Sequence, residues 1–423
     1  MSGAFRLVQG LLFVCIFAIA VVADDTLASS SSSSRPPAAA KKPFEDKVQG
    51  HTISDPYRWL EDSSSSETQK WVSDELAYTR TLLDPLPGRD LLHKRLGELL
   101  SIGTISAPQL GGKYYFYTKR EGTQNQPVLF VREGLKGSDR ALVDVNALAA
   151  DGTIALDWWT PSEDGKYVAY GTSPSGSEMS TLHVIETATG KLLPDSIDRT
   201  RAASIAWKLD NSGFYYTRYP KKGDVAEGQE VYYRHIFYHA LGADPAQDRL
   251  IFGEGRDPED WLDVSLANDG HWLLITVAQG WTKTELYLQN LQDGSAPVRI
   301  TEGKNFLYGG EVFNGKIFIT TNEDAPRYRA FVADAASPAR ANWKEIIPQN
   351  DAVLQGVSIV NGQLLAGYEK NASSQLRLLN ADGKLLGSAT RNRKCLWNWG
   401  QMGPQGGLRC ISFFHGSRFR FPD

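Results

Sequence analysis

Six glycine-centred turns, repeated at nearly even intervals, constrain this chain more than any other feature. Each time, an apolar strand runs into a turn and an aromatic-rich strand leaves it. The turn glycines are Gly112, Gly165, Gly213, Gly270, Gly315 and Gly362, spaced 45 to 57 residues apart. Asp164-Gly165, Asp269-Gly270, Asn314-Gly315 and Asn361-Gly362 suit hairpin turns whose twist matches the flanking strands, because glycine tolerates φ > 0. A period near fifty residues with about four strands per unit predicts a mainly β fold, a β-propeller. One such sheet cannot bury both faces, and sheets ranked about an axis cover one another. A β-sandwich would show shorter and less regular spacing. Tyr114, Tyr167, Tyr215, Trp272 and Phe318 occupy equivalent places after the turns, which predicts blade-to-blade packing rather than ligand stacking.

The 423 residues allow two or three domains, and the formal net charge of −4 offers no attraction to nucleic acid or an anionic membrane surface. The cysteines are Cys15, Cys395 and Cys410. The last two could pair, but no framework of bridges holds the fold. No C-x-x-C motif or His/Cys cluster points to zinc. His235 and His239 have i, i+4 spacing but lie in Tyr232-Tyr233-Arg234-His235-Ile236-Phe237-Tyr238-His239, which alternates like a strand. We therefore assign no cofactor, no metal site and no catalytic residue.

Residues 1–23 have the layout of a secretory signal peptide, with Arg6, an apolar run from Leu11 to Ala23, and small residues before Asp24-Asp25. The run is short for a membrane span, which takes about 20 residues. Export to the periplasm or the medium is expected, with an uncleaved signal anchor as the alternative and no stable span once the leader is cleaved. Residues 24–43, rich in Ser, Pro and Ala, read as a disordered linker. Residues 44–103 read as a helical segment. Within it Ser66–Leu83 is a predicted helix with Ser66 and Gln69 as its capping box and Val72, Leu76, Thr79 and Leu83 on one face. A second helix is predicted from Arg89 to Leu100, with Leu92, Leu96 and Leu99 on one face.

Asp55-Pro56-Tyr57-Arg58-Trp59-Leu60-Glu61-Asp62 resembles the N-terminal signature of the prolyl oligopeptidase family, and Pro56 favours its prolyl branch over the dibasic-specific one. The likeness continues through Asp157-Trp158-Trp159, Trp207, Tyr233-Arg234-His235, Gly280-Trp281, Asn322-Glu323-Asp324-Ala325-Pro326-Arg327 and Ala341-Asn342-Trp343, in matching order over residues 45–390. The resemblance implies a seven-bladed propeller, and here residues 104–390 show six clear blades. It implies that the propeller covers an α/β-hydrolase domain, that the helical segment wraps back onto that domain, and that the whole protein cleaves short peptides after proline. Short proline-containing peptides and that intramolecular hydrolase domain are the implied partners. The family's outer-pocket aromatic before the Ala-Trp of the third repeat has no counterpart in Arg201-Ala202-Ala203-Ser204-Ile205-Ala206-Trp207, so no binding residue carries over.

The chemistry of such a peptidase needs a nucleophile elbow, Gly-x-Ser-x-Gly, on a strand-to-helix turn. The nearest string, Gly171-Thr172-Ser173-Pro174-Ser175-Gly176, has its second glycine one place late and no helix after it, and reads as a hairpin loop. Residues 391–423 lose strand alternation and family likeness, and read as an aberrant tail where a seventh blade belongs, as a frameshift would produce. The chain alone lacks the Ser-Asp-His triad and is expected to be inactive. The alternatives are a secreted propeller that binds peptide or protein without catalysis, and a pseudo-peptidase that regulates by binding peptides.

Overall fold

The computed structural model describes residues 35–149 and 151–390. The expected signal peptide, the aberrant tail and all three cysteines lie outside the described residues. The chain divides between Leu99 and Leu100 into two compact units.

The first unit opens with a hairpin of β1 (Glu45–Val48) and β2 (His51–Ser54), turned through Gln49 and Gly50 at φ 49 and 83. Sequence reading missed it, because its residues are mostly exposed and carry no apolar alternation. The signature octet follows. The Asp55 carboxylate accepts from the Tyr57 N–H at 2.9 Å and from Arg58 Nε at 3.2 Å, which closes an Asx-type turn. Trp59 Nε1 donates to the Ala40 carbonyl at 2.8 Å, and the Lys42 N–H donates to Pro56 at 2.8 Å. The end of the stretch read as a linker is thus paired with the octet.

Helix α1 spans Ser66–Leu83 and α2 spans Arg89–Leu100, as the apolar spacing predicts. The cap differs from expectation. Ser65, not Ser66, is the N-cap, and its hydroxyl accepts from the Thr68 N–H at 3.1 Å. Thr68 in turn donates to the Trp59 carbonyl at 3.0 Å, so the octet and the helix start share one polar network. Among the described residues nothing covers the predicted apolar faces: Leu76, Leu92 and Leu96 are 56%, 64% and 55% exposed.

The second unit holds six antiparallel sheets, over residues 104–143, 154–197, 205–252, 261–299, 308–347 and 353–390. In five of them four consecutive strands pair in order. The first has an extra member because its inner strand is split into Thr104–Ile105 and Gln109–Gly111, both paired with Tyr114–Arg120. The gap falls at Ser106 to Pro108, where proline has no N–H to give the ladder. There the Ser106 N–H donates to the Thr118 carbonyl and the Ser106 Oγ accepts from the Thr118 N–H, both at 2.9 Å.

Five apolar clusters form the core, each at the junction of two consecutive sheets. Phe116, Leu129 and Val168 join the first to the second. Leu182, Trp207 and Phe214 join the second to the third, and Ile236, Leu262 and Ile275 the third to the fourth. Leu286, Ile300 and Ile317 join the fourth to the fifth, and Phe318, Ile359 and Leu364 the fifth to the sixth. The five aromatics after the turns each pack into the cluster shared with the following sheet. This is how small sheets bury faces they cannot bury alone.

The turns also touch in sequence. The Gly112 N–H donates to the Glu163 carbonyl at 2.8 Å, Asn211 Nδ2 donates to Asp164 Oδ2 at 2.7 Å, and Asn268 and Asn314 exchange two bonds at 3.0 Å. In the third turn the left-handed residue is Asn211, at φ 57, rather than Gly213. Gly213 is the first residue of strand Gly213–Arg218, where a Cβ would strike the His239 carbonyl and the Tyr238 ring. Among the described residues the architecture is a β-propeller of six blades. The seventh expected from the resemblance falls at residues 391–423, outside the described residues.

Candidate functional site

The first strands of all six sheets line one cavity of about 320 Å³. Its walls are the ends of these strands near the turns: Leu110, Pro161, Ala206, Ser265, Glu311 and Ser358, one from each sheet in order. A single cavity lined by every inner strand marks the axis of the propeller. The volume suits a small ligand or one or two side chains of a larger one.

Among the described residues the lining carries two carboxyls, Glu163 and Glu311, and no Lys, Arg or His. Glu311 sits on strand Tyr308–Phe313 and accepts from the Ile359 N–H of the next sheet at 3.2 Å. Burial pushes its carboxyl up to about 7, against the pull of that bond. Burial, with Asp164 beside it, also pushes Glu163 upward. The axis is therefore a half-apolar passage whose charge changes near neutrality. Neither glutamate stood out in the sequence. The available signal was position, since Glu311 lies on the strand that precedes Gly315 and Glu163 in the turn that holds Gly165.

A second cavity of about 320 Å³ lies in the third sheet, beside Tyr219, Lys221, Tyr233, His235 and Phe237. Arg199 and Arg218 border it. Burial opposes ionisation of Asp198, but these two guanidiniums outweigh it and hold the carboxyl down at about 2. Trp281, in the turn between strands Trp272–Gln279 and Lys283–Asn290, is 96% exposed.

The sequence motifs serve mainly as supports. Asp157 accepts from Ser173 at 3.1 Å and Ser180 at 2.6 Å, and Trp158 donates to the Thr200 carbonyl at 3.0 Å. Trp207 donates to Thr160 of the preceding sheet at 3.1 Å. Glu323, buried, takes Arg340 at 3.1 Å. The string Gly171 to Gly176 is a strand end more than a loop. Strand Tyr167–Pro174 includes Ser173, and only Ser175 and Gly176 turn, at φ 51 and 70. Ser173 is 1% exposed, so its hydroxyl is out of reach of a substrate. Gly171 is there because a Cβ would run into the Trp158 indole. His235 and His239 do share a face of strand His235–Ala240, but both nitrogens of His239 face carboxylates, Asp195 at 2.9 Å and Asp248 at 2.7 Å. Those carboxylates occupy opposite edges of the ring and cannot converge with it on one ion.

Comparison with known proteins accounts for this architecture. The profile of the prolyl oligopeptidase N-terminal beta-propeller domain matches residues 36–397. The chain is 30% identical over 344 residues to the prolyl endopeptidase of Elizabethkingia meningoseptica, covering 81% of this chain and 48% of that protein. It is 31% identical over 381 residues to prolyl oligopeptidase A of Amanita bisporigera, covering 79% and 48%. A solved structure from a study of two prolyl endopeptidases and the role of inter-domain dynamics superposes with a TM-score of 0.78 at 32% identity, covering 84% of this chain and 53% of that one. The chain spans about half the length of the curated relatives it matches. Motif order, six-sheet propeller and family match agree: this chain belongs to the prolyl oligopeptidase family and corresponds to its N-terminal β-propeller portion.

Proposed function

We propose that this propeller is the substrate-screening lid of a serine peptidase that cleaves short peptides after proline, with the chemistry supplied by an α/β-hydrolase domain. The carrying observation is that the family-matched sheets close around an axial cavity of about 320 Å³, room for a few side chains and not for a folded protein. The bare leucine faces of α1 and α2 support a further partner, since contiguous exposed apolar surface marks an interaction site. The hydrolase domain is that partner in this reading. A seventh sheet would then follow residue 390, beside the sixth, and a frameshift near that codon would account for the change in composition. Export through residues 1–23 would place the activity outside the cytoplasm.

The test is a chimera. Residues 35–390 are joined to the remaining half of the Elizabethkingia meningoseptica prolyl endopeptidase and assayed on a proline-linked chromogenic peptide and on a folded protein of similar sequence content. The reading predicts cleavage of the peptide after proline and exclusion of the protein. A folded chimera that cuts both equally, or neither, would overturn it.

A further inference from the structure

The second and third sheets are joined by a buried ionic cluster outside the axial cavity. His239, on strand His235–Ala240, has its Nε2 2.9 Å from Asp195 and its Nδ1 2.7 Å from Asp248. Asp195 lies on strand Leu192–Ile197, the outer strand of the second sheet. Asp248 follows the short turn Pro245–Gln247 of the third. All three side chains are at most 3% exposed. The Gly242 N–H donates to Asp195 at 2.5 Å, and the Tyr216 hydroxyl donates to Asp248 at 2.5 Å. Phe214 and Tyr216 pack on the ring, with centroids 5.2 and 6.4 Å away.

The chemistry of the ring sets its charge. Ionised carboxylates only accept hydrogen bonds, and a neutral imidazole has a single N–H. Two carboxylates on the two nitrogens are both satisfied only by the imidazolium. With one ring proton gone, a lone pair would face a carboxylate where no water can intervene, and such an unpaired buried contact is costly. Among the described residues no nearby cation takes over. Arg218, the closest on the packed strand Gly213–Arg218, binds Asp198 and the Pro245 carbonyl instead. Asp244 and Arg249, which flank Asp248, are exposed.

We propose that this cluster is a pH-operated latch between the second and third blades, closed while His239 is an imidazolium and released when it gives up one ring proton. Burial pushes His239 down, but the two carboxylates outweigh it and hold the ring charged up to about 9. An unfolded histidine titrates near 6.5. The latch therefore contributes fully below about pH 6.5, fades above it, and is gone above about pH 9. Across that window the folding constant falls by up to about 300-fold.

The test compares urea unfolding of the 423-residue chain at a series of pH values from 6.5 to 9.5 for the natural sequence and for His239→Gln. Titrations of Lys and Tyr elsewhere are common to both chains and cancel. Over this range the natural chain should lose on the order of 100-fold more of its folding constant than His239→Gln does. Equal losses in the two chains, or a flat profile in the natural one, overturn the proposal. Asp248→Asn keeps the shape while removing one carboxylate, and should move the midpoint of the loss downward by about one pH unit or more. If His239→Gln does not fold, an unchanged midpoint in Asp248→Asn overturns the latch.

Discussion

Truncating Leu286 tests whether the junctions between sheets carry the fold. Leu286 is fully buried on strand Lys283–Asn290 of the fourth sheet. It shares a cluster with Ile317 and Ile319 of the fifth. The inner strand of that fifth sheet presses close: a Cβ on Gly310 would lie 3.3 Å from Leu286 Cδ1 and 3.2 Å from Leu274 Cδ2. Backbone on the facing side leaves little room for collapse, so Leu286→Ala should keep most of its cavity. Lost burial plus a retained cavity puts the cost at about 3–5 kcal/mol, the upper part of the range for Leu→Ala. The assay is urea unfolding followed by tryptophan fluorescence, with Leu250→Ala as control, since Leu250 is 38% exposed on the outer strand of the third sheet. The control should cost under about 1 kcal/mol. A Leu286→Ala cost no larger than the control's would refute the view that packing between sheets, rather than within them, stabilises this unit.

Three further outcomes follow from the same geometry. Gly165→Ala should cost about 2–3 kcal/mol in urea unfolding, because φ is +72 and a Cβ would strike the Gly111 carbonyl and the Tyr114 ring; Gly294→Ala, at φ +68 but with open space around it, should cost only about 1 kcal/mol. Ser65→Ala should lower helix content by circular dichroism and cost about 1 kcal/mol, while Ser66→Ala is neutral, since Ser65 holds the Thr68 N–H. Glu311 is raised from 4.5 to about 7 by burial, so its folded form binds the proton more tightly than its unfolded form. The stability it contributes is present below about pH 4.5 and lost as pH rises through 7. Glu311→Gln should therefore be more stable than the natural chain at pH 8, by on the order of 2 kcal/mol, and indistinguishable at pH 4; the reverse order in urea midpoints would contradict the assignment.

Much of the fold was legible because its signals are local and repeated. Five of the six turn glycines, all but Gly213, report a backbone need at φ > 0, and four of the six carry Asp or Asn ahead of them. The helices were legible to the residue, since Pro and Gly end one and the leucine spacing marks both. What escaped had no local signal. The β1–β2 hairpin is polar and exposed on both faces. The cap shifted by one residue because four serines in a row, Ser63 to Ser66, offer equivalent hydroxyls, and only the Thr68 contact selects Ser65. The axial carboxyls and the Asp195–His239–Asp248 cluster are assembled from different sheets. His239 drew attention for its spacing to His235, yet its partners lie 44 residues before and 9 after it. No pattern within one strand announces such a meeting.

Six sheets taking turns about one axis bring the outermost two close together, and a distance between these two measures that directly. Spin labels at Lys113 and Asn361, on the turns of the first and sixth sheets, should lie within about 30 Å of each other by pulsed dipolar spectroscopy, because Gln109 and Ser358 line the same cavity of about 320 Å³. Six sheets stacked in a row, at about 10 Å per step, would separate the labels by about 50 Å, and a distance of that size would contradict the ring.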